Sequence, residues 1–216
     1  MSEQLCTTGY RYDELPEEAK PTAREERYGD GPEYEWWDFI YEDFTRIADL
    51  FGIEIALGDR KQPKIFFTGF NSQGDGASFE GTWESKPSVL KAVATYAPLD
   101  EELHRIARIL DEEVGLEPID AEFPIMAEVK QQGRAVHSQT MFIDSYDEPQ
   151  VIDMEVIEQC FRDLADWLYL QLEKEFEYKG SKEYLEESIE CNDVWFTGDG
   201  CIAPHYLTAC KEETNV

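Results

Sequence analysis

Between Tyr34 and Phe51 the apolar positions return every three or four residues. Trp37, Ile40, Phe44, Ile47, Ala48 and Phe51 make one stripe, which predicts an amphipathic helix over "YEWWDFIYEDFTRIADLF". Gly52 stands where a helix cap belongs. Glu35, Asp38, Glu42, Asp43 and Asp49 fall largely outside the stripe. The period then shortens. "IEIAL" (Ile53 to Leu57), "KIFFTGF" and "ASFEGTWE" predict three strands, the last two joined by a polar tip, Ser72 to Gly76. "SVLKAVATYA" predicts a short helix with Ser88 as its cap. "LDEELHRIARILDEEVG" predicts another, started by Asp100 and ended by Gly115, with Leu103, Ile106, Ala107, Leu110 and Val114 as its apolar face.

"AEFPIMAEVKQQGRAVHSQTMFIDSY" predicts a long hairpin turning near Gln132 and Gly133, with Pro124 marking an edge or a bulge. The longest helix is expected from about Asp153 to Tyr178. Its stripe is Ile157, Cys160 or Phe161, Leu164, Leu168, Leu172 and Phe176. "SKEYLEESIECN" follows as a helix capped by Ser181, and "DVWFTGDG" as a final strand. Upstream, Leu15, Ala19 and Ala23 have helical spacing, but Pro21 falls among them, so a short helical turn and a loop are expected.

Helix, strands, helices, hairpin, helices is not the regular βαβ alternation of a doubly wound parallel sheet. The order predicts an α+β fold, a mostly antiparallel sheet packed against several amphipathic helices in a single domain. The expected division is a polar N-terminal segment (1–33), the α+β domain (34–200) and a C-terminal tail (201–216).

Charge changes the picture most. The 216 residues carry 48 Asp and Glu against 19 Lys and Arg, a formal net charge of −29. A small domain needs a net charge of only about 2–8 for solubility, and like charges repel in the compact state. A salt-adapted composition, a binder of a basic protein and a mimic of nucleic acid all fit such an excess. A compact chain of this length is about 45 Å across, and about 45 Å of B-DNA carries some 26 charges. Protein and duplex therefore match in charge per length. Direct nucleic-acid binding is disfavoured, because the few basic residues form no stripe. There is no apolar run of membrane-spanning length and no signal peptide, so a cytoplasmic protein with no membrane partner is expected.

Motifs for chemistry are sparse. The tip "SQGDG" lacks the Lys-Ser/Thr of a phosphate loop and leads into a strand rather than a helix. It also lacks the ligand spacing of a calcium loop. It predicts a hairpin turn in which Gly74 and Gly76 supply positive φ and Asp75 bonds the local backbone. The "GDG" at 198–200 has the same reading. No nucleophile motif is present. His104 falls on a charged helix face and His137 in an expected strand. Cys191, Cys201, His205 and Cys210 lack a tight Cys-x-x-Cys pair, so free thiols are expected, with a metal as the alternative. No cofactor motif is present. The reading is non-enzymatic. The aromatic run Trp36, Trp37, Phe39, Tyr41 and Phe44 exceeds one buried helix face, and part of it is expected as an exposed patch.

"YEWWDFIYEDFTRIADLFGIEI", "IFFTGFNSQGDGASFEGTW", "YAPLDEELHRIARIL" and "DLADWLYLQLEKEFEY" together resemble a family of small acidic phage and prophage proteins, mostly of unknown function, some labelled antitoxin. The resemblance runs from about Leu15 to about Asp199, and its most specific block is GFxSQGDGxxFxG. Pro21 departs from the continuous N-terminal helix of the relatives, and the tail beyond Asp199 has no match. No catalytic residue carries over. The resemblance implies a phage-derived accessory protein of a bacterial host cytoplasm. With the charge, it leads to an inhibitor of a host restriction or CRISPR complex, occupying a basic nucleic-acid groove with a DNA-mimic-like surface. An antitoxin-like protein neutralising one basic partner is the first alternative, an enzyme with Ser72–Gly76 at its site the second. The partner-binding candidates are Glu35, Asp38, Glu42 and Asp43 on the first long helix, Asp75 at the tip, and Asp163, Asp166, Glu173 and Glu177 on the longest helix.

Overall fold

The helical period at 37–51 is realised in the computed structural model as α2 (Asp38–Leu50), with Ile40, Phe44, Ile47 and Ala48 buried. The structure describes residues 9–29, 31–32, 35–115, 124–146 and 152–204. The helix starts later than expected. Glu35 sits at φ 59°, a left-handed conformation that no helix continues, so the chain turns before Asp38.

The other elements are α1 (Lys20–Tyr28), β1 (Ile53–Ile55), β2 (Ile65–Phe67), β3 (Ala77–Phe79), β4 (Gly81–Glu84), α3 (Val89–Tyr96), α4 (Glu101–Val114), β5 (Met126–Gln131), β6 (Met141–Ser145), α5 (Met154–Lys179) and α6 (Lys182–Cys191). The fold is α+β and its sheets are antiparallel. The chain forms two compact units, residues 37–173 and residues 1–36 with 174–216.

In the unit of 37–173 a four-stranded sheet has the order β1-β4-β5-β6, and β2 and β3 form a separate hairpin. The expected strand "ASFEGTWE" is thus two strands. The change of partner occurs at Glu80, whose N–H donates to the Lys64 carbonyl and whose own carbonyl accepts from Ala56. Phe44, Phe51, Phe79, Trp83 and Phe161 fill the core with Leu103, Ile106 and Leu110 of α4. Every residue of the stripe expected for α4 is buried, and Asp100 caps it by accepting the Leu103 N–H at 2.9 Å. Ser88 does not cap α3. It sits at φ 62° and makes no side-chain cap bond; the Asp111 carboxylate accepts from Val89 at 2.8 Å and Leu90 at 2.9 Å instead. A carboxylate at a helix N-terminus also meets the positive end of the helix dipole, which a hydroxyl does less well.

The free edge of β6 is covered by α5. Glu158 accepts the Ile143 N–H at 2.9 Å, Arg162 donates to the Met141 carbonyl at 3.0 Å, and the two side chains pair at 2.6 Å. Such covering blocks edge-to-edge pairing with another chain. The β5–β6 connection holds the expected turn with Gly133. His137 lies there, capping a 3-10 turn at Ser138–Thr140 by accepting the Gln139 N–H, and is not in a strand.

In the other unit Pro21 begins a helix rather than interrupting one. It occupies the first turn of α1, where a missing N–H costs nothing. Tyr12, Leu15, Ala19 and Ala23 pack with Ile189 and Phe196. Ser181 caps α6 as expected, accepting from Tyr184. "DVWFTGDG" yields no strand: Phe196 makes single antiparallel bridges to Tyr10 and Ile202, between Asp193 at φ 57° and the turn at 198–200. In that turn the Asp199 carboxylate accepts the Thr197 hydroxyl, which holds its pKa below the usual value. No described helix is long and apolar enough to cross a membrane.

Candidate functional site

The tip between β2 and β3 closes on itself. Asp75 Oδ2 accepts the N–H groups of Ser72 at 2.7 Å and Asn71 at 3.1 Å, and the Asp75 N–H donates to the Ser72 carbonyl. Thr68 Oγ1 accepts the Gly76 N–H at 3.0 Å. Gly74 uses positive φ, 117°. Gly76 does not. Its role is space, because a Cβ there would stand 3.0 Å from His137 Cδ2 and 3.1 Å from His137 Cα. The loop is a turn whose aspartate is engaged by backbone, and the hairpin reading holds.

Beside this tip a row of aromatic rings runs across three elements. Trp37, at the mouth of α2, meets Phe67 at 5.4 Å, and Tyr41 meets Phe67 at 6.4 Å, both edge-on. Phe67 stacks on Phe70 at 5.7 Å and 22°, and Phe70 meets Tyr169 of α5 at 5.3 Å. The Tyr169 hydroxyl donates to the Gly69 carbonyl at 3.1 Å, which ties α5 to the tip. All five rings are half-buried, while Phe66 and Phe39 nearby in sequence are exposed. The run of aromatics on α2 thus divides: Phe44 enters the core, Phe39 faces outward, and Trp36, Trp37 and Tyr41 lie between.

Carboxylates flank the row. Burial raises the Tyr41 phenol pKa well above its usual value, and Asp38 adds to the shift. Tyr169 is raised likewise by burial, then by Glu173 and Asp75. Three of the nine acidic candidates, Asp38, Asp75 and Glu173, therefore act on one aromatic surface. The other six show no such effect on it. Asp163 is held by Arg105 at 2.5 Å and Gln159 at 2.7 Å, and Asp43 accepts the Tyr96 hydroxyl. Glu42 lies 4.0 Å from Arg46. Asp166 is exposed on α5. Glu35 and Glu177 are exposed in the other unit.

Most described lysines and arginines are answered by the chain's own carboxylates, within 4.0 Å. Asp38, Asp166, Glu173 and Glu177 make no ion pair or hydrogen bond among the described residues. Among the described residues no group of three or more His, Cys, Asp or Glu could hold a metal. Cys160 is buried and its thiol is pushed up to about 12 by desolvation. Cys191 and Cys201 are free; His205 and Cys210 lie outside the described residues.

A family model described as "Domain of unknown function (DUF8835)" matches residues 36–182. The chain belongs to the DUF8835 family. No curated protein and no solved structure matches it. The DUF8835 match takes in the whole aromatic row and its three carboxylates, and it begins one residue after Glu35. The family description assigns no activity and no origin.

Sequence reasoning missed Phe67, Phe70 and Tyr169. Tyr169 lies off the α5 stripe and Phe70 lies in the tip. The available signal was the density of phenylalanine in "IFFTGF", more than a three-residue strand can bury.

Proposed function

We propose that this chain is a non-enzymatic binding protein that engages a basic partner through its free carboxylates, in the form of a phage-type inhibitor acting on a host restriction or CRISPR complex in the bacterial cytoplasm. The observation that carries the reading is the division of charge. Cations are mostly paired by the chain's own carboxylates, whereas Asp38, Asp166 and Glu173 of the 37–173 unit are left unanswered among the described residues. An unanswered field of this sign attracts a basic groove and repels phosphate.

Asp166 and Glu173 are seven residues apart on one helix, about 10.5 Å, while a DNA strand carries a charge every ~3.4 Å of axis. The reading is therefore of an acidic face with its own contacts, competing for the groove rather than copying the duplex. The self-bonded tip is a support for that face and not a reaction site.

The test is DNA cleavage by purified restriction and CRISPR effector complexes with and without this protein, at about 50 and about 200 mM salt. Inhibition that weakens at the higher salt is expected. Failure to inhibit any such complex, or inhibition indifferent to salt, sinks the proposal.

A further inference from the structure

We infer that the open face of the four-stranded sheet is a docking surface for a basic protein, with the partner's cations over Glu54 and Glu84 and its apolar side chains over Met126 and Tyr146. The inference rests on the basic partner proposed above and gives that partner a face of its own.

Strand register decides which residues share this face. The odd-numbered positions Ile53, Ile55, Trp83, Ala127, Val129 and Met141 are buried. Even-numbered positions of the same strands stand on the other side, and none of them is buried. Glu54, Thr82, Glu128 and Asp144 are register partners in one line across all four strands. Glu84 and Met126 form the next line, and Tyr146 extends it by donating its N–H to the Met126 carbonyl at 3.1 Å. Met126 is 37% exposed and Tyr146 59%. Because α5 closes the β6 edge, the sheet offers its face rather than that edge.

The chain answers the charge on one half of this face and leaves the other half. Lys130 pairs with Glu128 and, at 3.0 Å, with Asp144; Lys64 pairs with Glu80 at 2.7 Å. Glu54 and Glu84 make no ion pair or side-chain hydrogen bond among the described residues. Lys86, two residues past Glu84, is taken by Asp49 at 2.9 Å. The residues outside the described ones hold one lysine, Lys211, and no arginine. Since Glu54 stands opposite Thr82, Glu84 is its diagonal neighbour, at about 7–8 Å. Like charges so placed repel, and a cation between them turns repulsion into attraction.

The sign of the face selects its occupant. A second copy of this chain would bring the same carboxylates against it. Nucleic acid and anionic lipid would be repelled. A basic protein is complementary in charge, and Met126 and Tyr146 beside the carboxylates give its apolar side chains a place out of water. Many interfaces pair apolar contact with a polar rim in this way. A net charge of −29 alone attracts every basic surface and selects none; the apolar strip adds the selection.

Two peptides of equal length and charge separate the two halves, one alternating lysine with serine and one alternating lysine with leucine. Binding to the full chain is measured by calorimetry at low salt. The leucine peptide is expected to bind roughly fivefold tighter. In Met126→Ser/Tyr146→Ser that ratio is expected to fall to about one while serine-peptide binding persists. Glu54→Gln/Glu84→Gln is expected to weaken both peptides severalfold, and Glu183→Gln/Glu190→Gln on α6, equal in charge change, much less. Circular dichroism and melting confirm that each variant folds. Equal binding of the two peptides, a ratio untouched by the Met126/Tyr146 variant, or equal losses in the sheet and α6 variants overturns the sheet face and leaves the basic-partner reading standing. Binding of neither peptide overturns both.

Discussion

Two aromatic clusters of the 37–173 unit draw on the same two helices and on the two strands of one hairpin, and they end differently. In one, Phe44 of α2 packs on Phe79 of β3 at 5.2 Å and on Trp167 of α5 at 6.5 Å. Phe44 and Phe79 are fully buried, and the Trp167 indole donates to Asp100 at 2.9 Å. In the other, Tyr41, Phe67 and Tyr169 come from α2, β2 and α5, and all stay half-exposed. The partner residues are only a few positions apart, Phe44 from Tyr41 and Trp167 from Tyr169. On α5 the two-residue step from Trp167 to Tyr169 turns the side chain by about 200°, enough to move a ring from the closed cluster to the open row, whereas on α2 the three-residue step from Tyr41 to Phe44 leaves the two rings only about 60° apart. Aromatic content therefore does not mark core or surface here. What separates the two is how far each ring is buried: Phe44 and Phe79 fully, the rings of the row only in part.

Phe79→Ala against Phe70→Ala is the strongest test of that contrast. Emptying a fully buried site removes the transfer energy and leaves a cavity, so Phe79→Ala is expected to cost about 3–5 kcal/mol. Phe70 already meets water on one side, and its loss is expected to cost about 1 kcal/mol. Urea midpoints with unchanged slope measure both. Equal losses would make the row a part of the core.

The polar handles of the two clusters give a smaller difference. Trp167→Phe deletes the donor that Asp100 accepts and leaves a half-buried carboxylate oxygen short of a partner, for about 1–2 kcal/mol. Tyr169→Phe removes a bond to the Gly69 carbonyl at a wetter place, and about 0.5 kcal/mol is expected. Hydrogen exchange at the tip sharpens the test, since Tyr169→Phe should speed exchange at Ser72 and Asp75 while Trp167→Phe should not.

Phe44 of the closed cluster was legible in the sequence, Trp167 was not, and of the open row only Trp37 and Tyr41 were singled out. Phe44 and Leu168 lie on periodic stripes, and burial of one face of a helix imposes that period. Asp100 and Ser181 cap the helices they immediately precede, so their roles are local. Where partners are distant the sequence was silent. The true cap of α3 is Asp111, twenty-two positions from Val89. The division of β3 from β4 depends on which strand lies beside Glu80. The row joins Gly69 to Tyr169 across one hundred positions, and no period records that meeting. Among the acidic candidates, Asp38, Asp75 and Glu173 were legible as charge, yet only the fold brings them to one surface and gives Asp163 to Arg105.

The dryness of the closed side has its own reporter in Cys160. Its thiol lies buried on α5, and desolvation lifts its pKa from 9.0 to about 12. The native state thus keeps its proton where the unfolded chain has lost it. Between about pH 9 and 12 the folded form binds more protons, so the thiol's contribution to stability falls as pH rises through that window and is constant below it. Replacing the thiol by Ala should flatten this part of the curve, because the group that titrates is gone. Native protein at pH 8 is expected to leave Cys160 unmodified by a maleimide while exposed Cys191 reacts, as peptide mapping by mass spectrometry can read. Modification of Cys160 at the rate of Cys191 would mean that water reaches the inner face of α5, and that the closed and open sides of this unit differ less than their geometry implies.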